Sequence, residues 1–164
     1  MPRTAPAESR AADQLILDCI RVLFREIRTS SAATEQATGL SAAQVFVLRV
    51  LVREPGLSVN ALARRTLTHQ SSVSVVVRKL VAAGLVVRRP AVGDGRSVAL
   101  DPTASGMALA KRSADPIQER FLQSLDRLPL GVRQRLATDL GHWITAMGID
   151  AAEPEMFFES KLRG

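Results

Sequence analysis

Between residues 54 and 94 the chain holds no carboxylate. Inside that gap stand Arg64, Arg65, Arg78, Lys79, Arg88 and Arg89, and Arg96 comes just after it. Short hydrogen-bonding side chains interleave with the cations: Ser58, Asn60, Gln70, Ser71, Ser72 and Ser74. Cations free of neighbouring acids, set among hydroxyls and amides, suit a phosphate backbone and the base edges beside it.

Other chemistries find less support. No serine sits in a Gly-x-Ser-x-Gly elbow, and neither His69 nor His142 has an identifiable carboxylate partner. Two histidines and the lone Cys19 do not make a zinc site without carboxylate help. The expectation is therefore a binding protein rather than an enzyme, with no metal and no cofactor. Cys19 also rules out an internal disulfide, and at its position an apolar, buried thiol is the default reading.

The charge distribution sharpens the point. Residues 1–55 hold seven Lys/Arg against six Asp/Glu, residues 56–112 nine against two, and residues 113–164 six against eight. The net charge of +6 is thus concentrated in the middle third, as a binding face requires. At 164 residues, one domain with a real core is expected. The N-terminus lacks the apolar run of a signal peptide, and no stretch approaches the roughly 20 apolar residues of a membrane span. These features point to a cytoplasmic protein with no membrane partner.

The elements that carry the cations can be read from spacing. Residues 1–10 read as a loose tail and residues 149–164 as a second tail carrying Met156, Phe157 and Phe158. A first helix over about 13–34 repeats Leu15, Ile16, Cys19, Ile20, Leu23 and Ile27 at helical spacing. Val22 and Phe24 widen its apolar surface, so it has more than one partner to pack on. Ser41 caps a second helix, with Gln44 in the capping-box position, and Glu54-Pro55-Gly56 ends it. Ser58 caps a short third helix to residue 65. Thr68 or His69 caps a fourth, which ends at Gly84. A strand over 85–90, a turn over 91–95 and a return strand over 96–100 follow. Thr103 caps a fifth helix expected to run to about 128, and a sixth covers about 132–147.

In the fourth helix, Val73, Val76, Val77 and Leu80 form an inward stripe. The opposite side carries Ser71, Val75 and Arg78, flanked by Ser72, Ser74 and Lys79. The fold class that results is mainly α (α+β). A winged helix–turn–helix spans about 41–103, and helices over about 13–34 and 103–147 flank it.

At this point the chain resembles the multiple-antibiotic-resistance regulator (MarR) family of winged-helix transcription factors. The resemblance covers roughly residues 12–148. It is carried by LSAAQVFVLRVLVREPGLSVNALARR, SSVSVVVRKLVAAGLVVR and GDGRSVALDPTASG. Asp94-x-Arg96 in the turn, followed by Thr103-x-x-Gly106, is its most specific part. Gly95 and Pro102 depart from the common family pattern. The resemblance implies a homodimer held by the N- and C-terminal helices. It implies a pseudo-palindromic operator in double-stranded DNA, with recognition helices in successive major grooves and wing tips in the minor groove. Many members are repressors released by small aromatic or lipophilic effectors, drugs or oxidants.

On that footing, Gln70, Ser71, Ser72 and Ser74 are expected at phosphates or base edges. Val75 is either a thymine-methyl contact or an ordinary exposed valine. Arg78 reads guanine or holds phosphate, and Lys79 holds phosphate. Ser58, Asn60 and Arg64 stand near the DNA backbone. Arg65 serves equally well in an intramolecular ion pair. Arg88 and Arg89 are phosphate contacts at the wing base. Arg96 is expected in the narrow minor groove, oriented by Asp94, the alternative being a hairpin salt bridge without DNA. An effector pocket would lie between helices one, two and five, with Phe24, Arg25 and Phe46 as candidate lining. Two other functions stay open. One is peroxide sensing through Cys19, which in the family relies on tyrosine hydroxyls that this chain lacks. The other is a winged-helix protein-interaction module that does not bind DNA.

Overall fold

The computed structural model describes residues 7–91, 94–113 and 115–149, with side-chain environments over 9–90, 98–113 and 115–149. The elements are α1 (Ala7–Thr38), α2 (Ala42–Arg53), α3 (Val59–Thr66), α4 (Gln70–Ala82), β1 (Val86–Ala91), β2 (Asp94–Pro102), α5 (Ala104–Arg112), α6 (Ile117–Asp126) and α7 (Leu130–Ala146). Among the described residues, no helix is long and apolar enough to cross a membrane.

The core lies in the middle of the chain. Leu48 and Leu51 of α2, Leu62 of α3, Val73, Val76, Val77 and Leu80 of α4, Val86 of β1 and Leu100 of β2 are fully buried together. Each such side chain contributes on the order of 1.5–3 kcal/mol by leaving water. The inward stripe read for α4 is therefore the stripe observed. The start of α2 is also as expected: Ser41 Oγ accepts from the Gln44 backbone N–H, and the Gln44 side chain accepts from the Ser41 N–H.

Strands β1 and β2 pair antiparallel from Val86↔Pro102 to Pro90↔Val98, with an irregularity between Pro90 and Ala91. Leu57 adds a single bridge to Leu100, which ties the α2–α3 connection to the sheet. The return strand is longer than expected at both ends: β2 starts at Asp94, inside the expected 91–95 turn, and its pairing continues to Pro102.

Thr103 and Gly106 make the joint behind the sheet. The Thr103 backbone N–H donates to the Leu85 carbonyl, and its hydroxyl donates to the Gly84 carbonyl. The same hydroxyl oxygen accepts from the Gly106 N–H and so caps α5. A Cβ at Gly106 would lie 2.2 Å from the Leu85 carbonyl oxygen. The glycine that costs helix propensity is thus the residue that lets α5 approach the end of α4.

Three expectations about the outer helices are corrected. The fifth helix does not run unbroken from 103 to 128: α5 stops at Arg112, and α6 starts only at Ile117. Pro116 has no N–H to give, and it pushes Asp115 away from helical backbone. Ser113, where α5 ends, and Pro116, before α6, are both extended. Helix α1 is longer than expected at both ends, taking in residues 7–10 of the supposed tail. Leu130 and Gly131 belong to α7, because Pro129 occupies the position just before its first residue, where a missing N–H costs nothing. The remaining tail residues, Met156, Phe157 and Phe158 among them, lie outside the described residues.

Both α1 and α7 carry exposed apolar side chains. Leu15, Ile16, Leu17, Val22, Leu23 and Phe24 of α1 are exposed, as are Leu130, Leu136 and Leu140 of α7. Cys19, expected to be buried, is exposed on the same part of α1. Nearby, Gln14 and Arg21 both donate to the Asp18 carboxylate, and the Gln14 hydrogen bond foremost holds that carboxyl below its ordinary range.

Replacing Gly106 with Ala will lower thermal stability, even though Ala is the better helix former. The clash with the Leu85 carbonyl costs about 1–3 kcal/mol, by analogy with other overpacked sites. Ser105→Ala, on the exposed side of the same turn, is the control in a thermal melt and will not fall with it.

Candidate nucleic-acid interface

Helices α3 and α4 meet at the turn Thr66-Leu67-Thr68-His69. Thr66 is buried, and its hydroxyl donates to the Leu62 and Ala63 carbonyls. The Thr68 N–H returns to the Ala63 carbonyl. The turn is closed by Leu67 in left-handed backbone, φ 50° and ψ 46°. Helix α4 then starts at Gln70, with His69 before it and no side-chain cap from His69.

The predicted contact residues divide by exposure. On α4, Gln70, Ser71, Arg78 and Lys79 are exposed, and Ser74 and Val75 are half-buried. Ser72 is corrected: it is buried at 8% exposure, on the inner flank one turn before Val76. On α3, Asn60 and Arg64 are exposed. Ser58 is half-buried, and its oxygen caps α3 by accepting from the Ala61 N–H. Arg65 pairs with Glu54 at 2.8 Å, the intramolecular alternative. On β1, Arg88 and Arg89 are exposed, with Asp101 3.7 Å from Arg89. The side chains of Asp94 and Arg96 lie outside the described residues, although β2 runs through both positions.

The three candidate pocket residues do not come together. Phe24 and Arg25 are exposed on one face of α1, beside Ile20 and Arg28. Phe46 is buried in the core and shows an edge to a separate cleft of about 210 Å³, with Val50, Arg53, Glu119 and Leu122.

Sequence reasoning missed a second joint. Glu119, in the first turn of α6, is buried and takes two arginines from α2. Arg49 Nε reaches it at 3.0 Å and Arg53 Nη2 at 2.5 Å. Arg49 also donates to the Ser113 carbonyl at 3.2 Å and pairs with Asp115 at 2.5 Å. One guanidinium therefore holds both sides of the helix break and locks it to the central helix of the winged unit. The available signal was Arg49 itself, a charge inside the apolar run 45–52.

A helix–turn–helix packed on a two-stranded sheet, with flanking helices at both ends, defines a winged helix–turn–helix protein. A profile of the MarR family matches residues 38–97. The HTH-type transcriptional repressor Rv2887 of Mycobacterium tuberculosis is 36% identical over 102 residues, which is 62% of this chain and 73% of that repressor. The HTH-type transcriptional repressor MdtR of Bacillus subtilis is 30% identical over 124 residues, covering 71% and 79% of the two chains. The chain belongs to the MarR family. Solved structures share the fold at lower identity. The transcriptional regulator BldR from Sulfolobus solfataricus superposes with a TM-score of 0.54 at 21% identity, covering 87% of this chain and 99% of that one. S. aureus MepR, solved in complex with DNA, gives 0.53 at 18% identity, covering 79% and 95%.

Glu119→Ala will leave two arginines near the break without their shared carboxylate. The loss will cost about 1–3 kcal/mol, because Arg49 keeps Asp115 and the Ser113 carbonyl and Arg53 is half exposed. Arg53→Ala will cost clearly less, because about half of that side chain is solvent-exposed. Denaturant titration of the two variants measures both.

Proposed function

We propose that this protein is a sequence-specific DNA-binding transcriptional regulator that acts as a homodimer, represses, and is relieved by a small effector. The observation that carries the proposal is the cationic surface of the helix–turn–helix. Gln70, Ser71, Arg78 and Lys79 of α4 are exposed, and so are Arg64 of α3 and Arg88 and Arg89 of β1. No carboxylate occurs in the sequence between Glu54 and Asp94. Such a surface is drawn to phosphate and releases condensed counterions on contact. In this reading α4 lies in the major groove, with Ser71, Ser74 and Val75 at base edges. Arg96 enters the minor groove, oriented by Asp94, and Asn60, Arg64, Arg88 and Arg89 hold the backbone. The names of the relatives, transcriptional repressors in both cases, support the sign of regulation. A regulator of this kind works in the cytoplasm.

The homodimer is supported by the apolar side chains of α1 other than Phe24, and those of α7, that are left exposed. A second copy that covers them brings two recognition helices to two half-sites about one helical turn of DNA apart. An effector acts only through different affinity for the two arrangements of that dimer. Phe24 and Arg25 are the residues we assign to its recognition, because they share an open, mixed apolar and cationic face.

Three results test this. Binding to duplexes selected by the full chain from a random-sequence pool will weaken steeply as salt rises, and Arg88→Ala will reduce the log–log slope by about 1. Arg96→Ala will weaken binding by about 1–3 kcal/mol at fixed salt. Ser71→Ala will weaken it while Ser72→Ala will not. A flat salt response, or a strict monomer in sedimentation, would overturn the proposal.

A further inference from the structure

The turn needs left-handed backbone at position 67, where it caps α3, but Leu67 carries two costs there that a glycine would avoid. Its φ of 50° places it in left-handed backbone, and it is the single non-glycine residue with positive φ among the described residues. That conformation crowds any Cβ, and glycine or asparagine adopts it more readily. The side chain is also 76% exposed, the highest value among the exposed large apolar residues described. The other large apolar side chains left in water lie on α1, α5 and α7, in the segment after α7, or at Val98 of the wing. Along the described chain from Arg25 to Pro90, Leu67 stands alone.

Polar, exposed residues stand near Leu67 in the chain. Arg64, one turn earlier, is exposed, and so are Gln70 and Ser71 at the start of α4. The turn itself is held rigidly, by Thr66 and Thr68 bonding back to α3. Strain kept in a rigid turn, with an apolar group held out among phosphate-seeking side chains, calls for an apolar partner on the same ligand. The apolar group a duplex presents at the major-groove edge is the thymine 5-methyl. We infer that Leu67 is a specificity-determining residue that packs against a thymine methyl beside the recognition helix. This rests on the DNA-binding reading above.

The test uses the full chain, duplexes it selects from a random-sequence pool, and the variants Leu67→Gly and Leu67→Ala. Gly relieves the backbone and removes the side chain, whereas Ala removes the side chain and keeps the strain. Gly will raise the melting temperature relative to Ala, yet both will bind the selected duplex roughly three- to ten-fold more weakly, as loss of a few buried apolar carbons implies. The log–log salt slope will stay unchanged, because no phosphate contact is lost. Replacing thymines singly with deoxyuridine will reproduce the loss at one position for the unmodified chain and have no effect there for Leu67→Gly. Wild-type affinity in Leu67→Gly, or a loss uncoupled from uracil substitution, overturns the inference. Failure of the unmodified chain to enrich any duplex overturns instead the DNA-binding reading beneath it.

Discussion

The backbone carbonyl of Leu85 is the point on which the architecture turns. It accepts the Thr103 N–H and leaves no room for a side chain at position 106. Through that contact the end of the recognition helix, the base of the wing and the start of α5 share one anchor. Recognition helix and wing can present a common surface only if their relative angle is held. Here it is held by backbone atoms and by one threonine hydroxyl, which donates to Gly84 and accepts from Gly106. Side-chain packing around Leu80, Val86 and Leu100 then fills the space this anchor defines.

The second joint uses charge. Arg49 and Arg53 extend from the central helix to Glu119, and Arg49 continues to Ser113 and Asp115. A proline break would ordinarily leave the last carbonyls of α5 and the first turn of α6 loosely coupled to the core. The guanidinium supplies the missing donors and fixes the direction in which α6 leaves. An apolar contact at that place would have resisted separation but would have set no angle.

Local rules were enough for much of the fold. The capping box of Ser41 and Gln44, the stripe Val73-Val76-Val77-Leu80 and the Thr103 cap are all contained in short windows, and each forms as spacing dictates. The failures share a different origin. Pro116 breaks the helix without interrupting the apolar pattern, which continues in phase on either side of it. Ser72 lies on the flank of a helical face, where spacing alone does not choose between water and core. Phe46 and Phe24 were grouped by type, yet one faces the centre and the other solvent. Arg49 stands out as a charge in an apolar run, but its partner Glu119 is 70 residues away, and local spacing does not name it. The cationic surface was legible for the opposite reason, since an acid-free run is a property of the chain itself, whatever the fold does with it.

Helix α7 buries no residue completely, and residues 9–19 of α1 are exposed on every side. Helices in water gain little from their own hydrogen bonds and depend on a covered face. Order in these two segments is accordingly tied to whatever occupies them. In the proposed homodimer, separating the two copies would strip that cover from both helices at once.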